Sequence, residues 1–350
     1  MARLVVAGAG AIGASIAYYL ALAGAREVVL ADVGEIAGSA TGRAMGGVRQ
    51  QFTTEAEVRL AQASVRLFEE LGAPLFQQVG YLFLATTEAG LRELEERRKL
   101  QAELGVPVER VDPGFVRGLR TDDVLGAVIC RADGIADPAG VTRELVRRAV
   151  TLGVEVLEHT DALALESDTL VVACGASSRD VAGARGVELP VRPLVRQLAE
   201  VGPVGALPND LPMTIEESGF HFRPVGTALL RLAMGEAEAR WDGPAEVRDQ
   251  LVEDWRARLT HRFPTAAGAP VVRAWAGFYD MTPDAHPIIG PVGEGLYAAC
   301  GFSGHGFMQA PAVGAAVAAE LLGETPLVDL ASYRLERFER GASFPETLVL

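Results

Sequence analysis

Nine residues near the start restrict the fold more than any other feature of the chain: Val5-Val6-Ala7-Gly8-Ala9-Gly10-Ala11-Ile12-Gly13. An apolar run ends in glycines at the first, third and sixth positions of a turn, and small apolar residues follow. That order predicts a strand at 4–7, a tight turn, and a helix at 11–23. Gly8 suits the turn, Gly10 lets a backbone approach a pyrophosphate, and Gly13 lets the helix lie close against the strand. The helix N-terminus then offers unpaired N–H groups and partial positive charge to phosphates. A second strand, 27–31, leads to Asp32, which lies 24 residues beyond Gly8. A carboxylate there meets a ribose hydroxyl and repels a 2′-phosphate, which disfavours NADP. The turn marks a dinucleotide site but does not by itself separate NAD from FAD.

A competing reading of residues 1–25 is a secretory signal peptide, since one arginine precedes a long apolar run. The three spaced glycines and the strand that follows at once favour the nucleotide unit. The apolar stretch at 310–322 is too short for a membrane span and contains Pro311 and Glu320. With 46 acidic against 32 basic residues the net charge is −14, which argues against nucleic acid and anionic membranes as partners. A cytoplasmic location is expected. Three scattered cysteines (Cys130, Cys174, Cys300) form no disulfide framework, and His159, His261 and His286 show no metal-ligand spacing, so no metal is expected. Lys99 is the only lysine.

Beyond the opening β-α-β unit, 34–47 is rich in glycine and small residues and too long for an ordinary connection, hence a candidate functional loop. Helices are predicted at 54–71, 88–104, 138–152, 245–259 and 310–322, and strands at 81–85, 154–157, 169–173 and 295–300. Between 190 and 240 short strands separated by Pro and Gly suggest an antiparallel sheet. The chain therefore reads as α/β: a doubly wound nucleotide domain, assembled from separate segments and interrupted by sheet-rich insertions.

Three further segments go beyond the glycine turn. They are Gly38-Ser-Ala-Thr-Gly-Arg43-Ala-Met-Gly46-Gly47-Val48-Arg49-Gln-Gln51; Leu170-Val-Val-Ala-Cys-Gly175-Ala-Ser; and Trp275-Ala-Gly277-Phe-Tyr279-Asp-Met-Thr282-Pro-Asp284, followed by Gly301-Phe-Ser-Gly304-His-Gly-Phe307-Met308. Taken in order, these resemble the D-amino-acid oxidase/sarcosine oxidase family of FAD-dependent oxidoreductases, in its branch of sarcosine oxidases and L-proline dehydrogenase catalytic subunits. The resemblance implies FAD bound by Gly8, Gly10, Ala11, Ile12, Gly13, Asp32, Ser39, Thr41, Arg43, Gly46, Gly47 and Val48. It adds Cys174, Gly175, Gly277, Gly301, Phe302, Gly304, His305, Gly306, Phe307 and Met308, with the backbone of Ala162 meeting the adenine. Segments 1–78, 132–193 and 268–340 are then the FAD-binding domain. Segments 79–131 and 194–267 form a substrate domain on a mixed, largely antiparallel sheet, and 341–350 is a tail. The helix start near 304–308 can aim its N–H groups at the flavin pyrimidine edge, where charge builds on reduction.

The departures from the family matter as much. Gly277 stands where monomeric sarcosine oxidases carry a flavin-linking cysteine, so the FAD is expected to be non-covalent. Phe52 and Met308 replace their carboxylate-binding arginine and lysine, and Tyr279 replaces the arginine of glycine and D-amino-acid oxidases. Arg49, His221, Arg223 and Arg231 become the candidates for a substitute anchor, and Tyr279 is placed beside the ring as lid or hydrogen-bond donor. The activity implied is oxidation of the C–N bond of a small amino acid, secondary as in sarcosine or proline, to an imine by hydride transfer to flavin N5. Oxidation of D-amino acids or glycine, a flavin-carrying subunit of a larger dehydrogenase, and an NAD-dependent dehydrogenase are the alternatives. The acceptor is oxygen, a quinone or a partner protein, and homo- or hetero-oligomers are both compatible. With no lysine to place beside the flavin, a dehydrogenase is expected over an oxidase.

Overall fold

The computed structural model describes residues 2–205, 207–346 and 348–349; the other positions of the expected tail, 347 and 350, lie outside the described residues. Strands Leu4–Ala7 and Val28–Ala31 are apolar at every position and buried on both faces, as parallel strands covered by helices must be. They form the middle of a six-stranded sheet whose order is Ile288–Gly293, Leu296–Cys300, Thr169–Val172, Leu4–Ala7, Val28–Ala31, Glu155–Leu157. All neighbours run parallel except the Ile288–Gly293 edge strand. Helix Ala11–Leu22 crosses between the first two strands, so residues 4–31 form the expected β-α-β unit.

That helix packs against Pro138–Thr151 and Gly306–Leu321. Its contact with the latter is unusually close. A Cβ added at Gly314 would stand 2.3 Å from Ser15 Oγ and 2.7 Å from the Ser15 carbonyl carbon. Helix Glu55–Leu71 also lies on Gly306–Leu321, and Ser64 Oγ donates to the Gln309 carbonyl at 3.0 Å. Its start is set by Thr54, which accepts from the Glu57 N–H, and its end by Gly72 at φ +56°.

A second sheet has eight strands in the order Val271–Met281, Arg192–Val201, Leu229–Ala233, His221–Val225, Met213–Glu216, Tyr81–Ala85, Gly126–Cys130, Val108–Arg110. Only Met213–Glu216 and Tyr81–Ala85 pair in parallel. One face is sealed by helix Asp249–Arg262 through Val252, Trp255 and Leu259. A small sheet of Gly47–Val48, Gly134–Ala136 and Phe76–Gln77 lies between the two. The proposed division of the chain moves at one place. Residues 271–281, expected with the nucleotide domain, hydrogen-bond along Arg192–Val201 and extend the second sheet.

Two helix starts differ from the sequence expectation. The last long helix begins at Gly306, ahead of the expected 310, and carries Pro311 inside it. The helix expected at 245 begins at Asp249 because Gln197 holds both the N–H and the carbonyl of Arg248, fixing that residue in an extended conformation. No helix among the described residues is long and apolar enough to cross a membrane.

Gly314 offers a test in which two effects oppose each other. Alanine should gain about 1 kcal/mol of helix propensity, yet its methyl must displace Ser15 backbone, and overpacking costs about 1–3 kcal/mol. Gly314→Ala is therefore expected to lower the thermal midpoint by a few degrees, read by calorimetry. An unchanged or raised midpoint would show that the helices can part freely.

Candidate functional site

The glycine turn has the geometry its spacing requires. Gly8 sits at φ +104°, and a Cβ there would lie 2.4 Å from the Ala173 carbonyl oxygen, so no other residue fits. Gly13 presses on the turn itself, since its added Cβ would fall 1.8 Å from the Gly8 carbonyl oxygen. Gly10 precedes the helix with no side-chain cap, and Thr41 Oγ1 accepts the Ala11 N–H at 3.0 Å. The Asp32 carboxylate accepts from Ala9 N–H at 2.6 Å and Gly34 N–H at 2.8 Å, which fixes it at the rim. Burial pushes the Cys174 thiol up to about 12, and its Sγ donates to the Ala7 carbonyl; it is a small strand-end residue without thiolate character.

A cavity of about 370 Å³ runs from this turn to the second sheet, within the size range of ligand pockets. Gly8, Gly10, Ala11, Ile12, Asp32, Ser39, Thr41, Arg43, Gly46, Gly47, Cys174, Gly175, Gly277, Phe302, Gly304, His305, Gly306, Phe307 and Met308 line it. Gly13, Val48, Ala162 and Gly301 do not. Gly13 packs beneath the turn, and Ala162 is buried in the apolar layer below the sheet.

The glycine-rich loop crosses from one sheet to the other and is tied down by arginines. Arg223 Nε donates to the Met45 carbonyl at 2.6 Å, and Arg231 Nη1 donates to the Ala44 carbonyl at 3.0 Å. Arg231 and Arg273 both pair with buried Glu200, at 2.8 and 2.7 Å. Burial alone would raise the Glu200 pKa, but the hydrogen bonds from Arg273 and Arg231 outweigh it and hold the carboxyl below its usual range. Arg43 Nη1 donates to the Ala276 carbonyl, and Trp275 Nε1 donates to the Arg43 carbonyl. Gly47 is forced, because the Tyr81 hydroxyl occupies the place of a Cβ. Arg223 and Arg231 thus correct the sequence expectation. They spend their N–H groups on loop carbonyls and Glu200, and neither lines the cavity.

Arg49 lines the cavity but is also engaged. Its Nη1 donates to the Gln51 carbonyl and its Nη2 to the Leu348 carbonyl at 2.8 Å, while the guanidinium lies 4.0 Å over the Phe52 ring. His221 lines it as well. Its Nδ1 lies 2.8 Å from the Gly219 carbonyl, and burial pushes its pKa down to about 4, so the ring is neutral at neutral pH. Donation from Nδ1 leaves Nε2 as an acceptor. Tyr279 lies flat against Gly304, where a Cβ would stand 2.4 Å from the ring, and burial pushes its phenol pKa up.

Tyr81, Met213 and Arg196 also line the cavity and were not singled out in the sequence. Arg196 had one available signal: it alternates with inward positions along Arg192–Val201, opposite Gly277. Among the described residues no group of three or more His, Cys, Asp or Glu side chains could hold a metal ion.

A glycine turn at the carboxyl end of a central strand of a parallel sheet, opening into a cavity floored by a second sheet, marks a dinucleotide-binding protein. The match to the FAD dependent oxidoreductase family extends over residues 3–320, and the chain belongs to that family. FAD is its cofactor. The chain is 28% identical to L-proline dehydrogenase from P. horikoshii, with a TM-score of 0.88 over 97% of this chain and 98% of that one. It is 28% identical to sarcosine oxidase subunit beta of an Arthrobacter species, covering 97% of this chain and 91% of the relative. Glycine oxidase from Geobacillus kaustophilus, at 23% identity and a TM-score of 0.86 over 96% and 99% of the two chains, shares the fold.

If the arginine clamp sets the loop against the cofactor, breaking it should weaken FAD binding without touching substrate directly. A hydrogen bond to a charged group contributes about 1.5–3 kcal/mol, so Arg231→Met should raise the FAD dissociation constant by about tenfold or more, measured by recovery of flavin fluorescence. Unchanged FAD affinity with a raised KM would return Arg231 to the substrate.

Proposed function

We propose that this flavoenzyme oxidises the C–N bond of a small secondary amino acid of the sarcosine or proline kind to an imine, and that it acts mainly as a dehydrogenase. Relatives named as an L-proline dehydrogenase and a sarcosine oxidase subunit support the substrate class. The observation that carries it is the composition of the cavity beside the flavin loop. Tyr81, Met213, Tyr279 and Met308 give it apolar and aromatic walls, His221 is neutral, and Arg196 and Arg49 supply positive charge.

When bound, FAD supplies the two-electron acceptor for the substrate carbon. The chain supplies the rest. The glycine turn and Asp32 hold the dinucleotide end, and loop 43–47 fixes the position of the ring through its carbonyl clamps. Gly277 has no thiol, so FAD is held without a covalent bond. The neutral His221 ring does not repel an amine, and its Nε2 can accept a hydrogen bond from the substrate nitrogen. The aromatic walls exclude water from the reacting carbon.

The acceptor follows from the distribution of positive charge. Lys99 is exposed on helix Glu88–Glu103 and is absent from the cavity lining. No ammonium is thus available to stabilise superoxide beside the ring, and Arg231 is already paired. Electrons pass to a dye, a quinone or a partner protein, and the relative named as a subunit supports assembly into a hetero-oligomer.

A panel of sarcosine, L-proline, hydroxyproline, glycine and D-alanine, assayed with a redox dye and with oxygen, tests this reading. Secondary amino acids should give the highest kcat/KM, and reoxidation of reduced enzyme by air should be slower than dye-coupled turnover. Preference for glycine or D-alanine would overturn the substrate class; fast reoxidation by air would overturn the dehydrogenase assignment.

A further inference from the structure

We infer that Arg196 is the substrate-carboxylate anchor of this enzyme, a specificity-determining residue reached from a different strand than the one expected to carry it. The inference rests on the amino-acid reading proposed above.

The starting observation is a missing partner. Arg196 Nε and Nη1 are buried and have no hydrogen-bond partner among the described residues, although the side chain lines the cavity. A buried guanidinium with idle donors carries a desolvation penalty that protein structures ordinarily remove by pairing. The other three arginines considered for this role are already committed. Arg49 donates to two carbonyls, Arg223 holds Met45 and Pro224, and Arg231 holds Glu200 and Ala44. Of these four arginines, Arg196 is the one whose buried Nε and Nη1 meet no partner among the described residues.

Its position directs those donors to the reacting end of the cavity. Arg196 pairs in antiparallel register with Gly277, and Leu194 pairs with Tyr279. Residues alternate along a strand, so Arg196, Gly277 and Tyr279 share one face of the sheet. Gly277 projects no side chain, and the stem of Arg43, another cavity-lining arginine, lies over it, its Cδ 3.5 Å from where a Cβ would stand. The guanidinium carbon lies 5.6 Å from the Tyr279 ring centroid, in the range of a cation–π contact that fixes its plane. On its other side Nη2 lies over Gly235, 3.9 Å from where a Cβ there would stand. A planar cation held flat against an aromatic ring, with idle N–H groups, matches a carboxylate. Tyr279 stands where a family arginine was expected; here the cation comes from the neighbouring strand and uses that tyrosine as its platform.

The test separates this role from support of the flavin and from the substrate assignment. Holoenzyme is titrated with pyrrole-2-carboxylate, a planar probe that cannot be oxidised to an imine, and with pyrrole-2-carboxamide, following the visible flavin spectrum. Arg196→Met should weaken carboxylate binding by about 10- to 100-fold and leave carboxamide binding within about threefold. Arg196→Lys should retain part of the carboxylate affinity, and in steady state KM should rise far more than kcat falls. Unchanged carboxylate binding in a flavin-replete Arg196→Met enzyme would overturn the assignment. Should that variant lose FAD, Arg196→Lys decides: a tenfold loss of carboxylate affinity at full flavin content supports the anchor, and no loss refutes it. If wild-type enzyme binds the carboxylate through Arg196 yet oxidises no secondary amino acid, the substrate reading fails and the anchor stands.

Discussion

The site depends on one constraint: loop 43–47, which lines the cavity between the glycine turn and the second sheet, must be held in place. Glu200 makes this possible. It is 2% exposed and holds Arg231 and Arg273 together. Arg231 then reaches past it to the Ala44 carbonyl, while Arg223 takes the Met45 carbonyl. A lone buried carboxylate would be costly, and a lone buried arginine equally so; paired, and capped by backbone carbonyls, both are tolerated. Sign matters for the pH response. A carboxyl held below its usual range contributes stability in full above its unfolded pKa near 4.5, and the contribution is lost as pH falls through the lower folded value. The clamp is therefore intact at neutral pH and fails only in acid.

The first β-α-β unit was legible because its constraints are local. Gly8 and Gly13 answer to atoms within the same unit or at the end of the adjoining strand, and the apolar runs 4–7 and 28–31 can only be buried strands. The long strand Val271–Met281 was not legible. The resemblance puts it with segment 268–340 of the FAD-binding domain, and only the register with Arg192–Val201 makes it an extension of the second sheet. The arginines failed for a related reason. Composition marks Arg49, Arg196, Arg223 and Arg231 as equal cations, and which of them keeps free donors is decided by carbonyls and carboxylates far away in sequence: Glu200, Met45 and Leu348.

Function follows from how the two sheets divide the work. On the proposed reading the parallel sheet and its glycine turn hold the nucleotide of the FAD that the family, matched over residues 3–320, uses. The second sheet lines the cavity with Tyr81, Met213, His221 and Tyr279, four residues on four different strands, which the proposed function makes the substrate walls. Changes on those strands lie outside the parallel sheet and its glycine turn, so the departure at Tyr279 is compatible with an unchanged fold. The proposed activity places each charge at a distinct task. Arg223, Arg231 and Glu200 tie down the loop, His221 stays neutral, and Arg196 is the cation assigned to the ligand.

The most direct measurement is the reductive half-reaction, with purified FAD-loaded protein mixed anaerobically with single substrates in the absence of any acceptor. The account predicts that sarcosine or L-proline bleaches the visible flavin band in one phase and that the corresponding amides, lacking the carboxylate, do so far more slowly. A flavin band bleached by the amide as fast as by the acid, or by glycine and D-alanine but by no secondary amino acid, would contradict it.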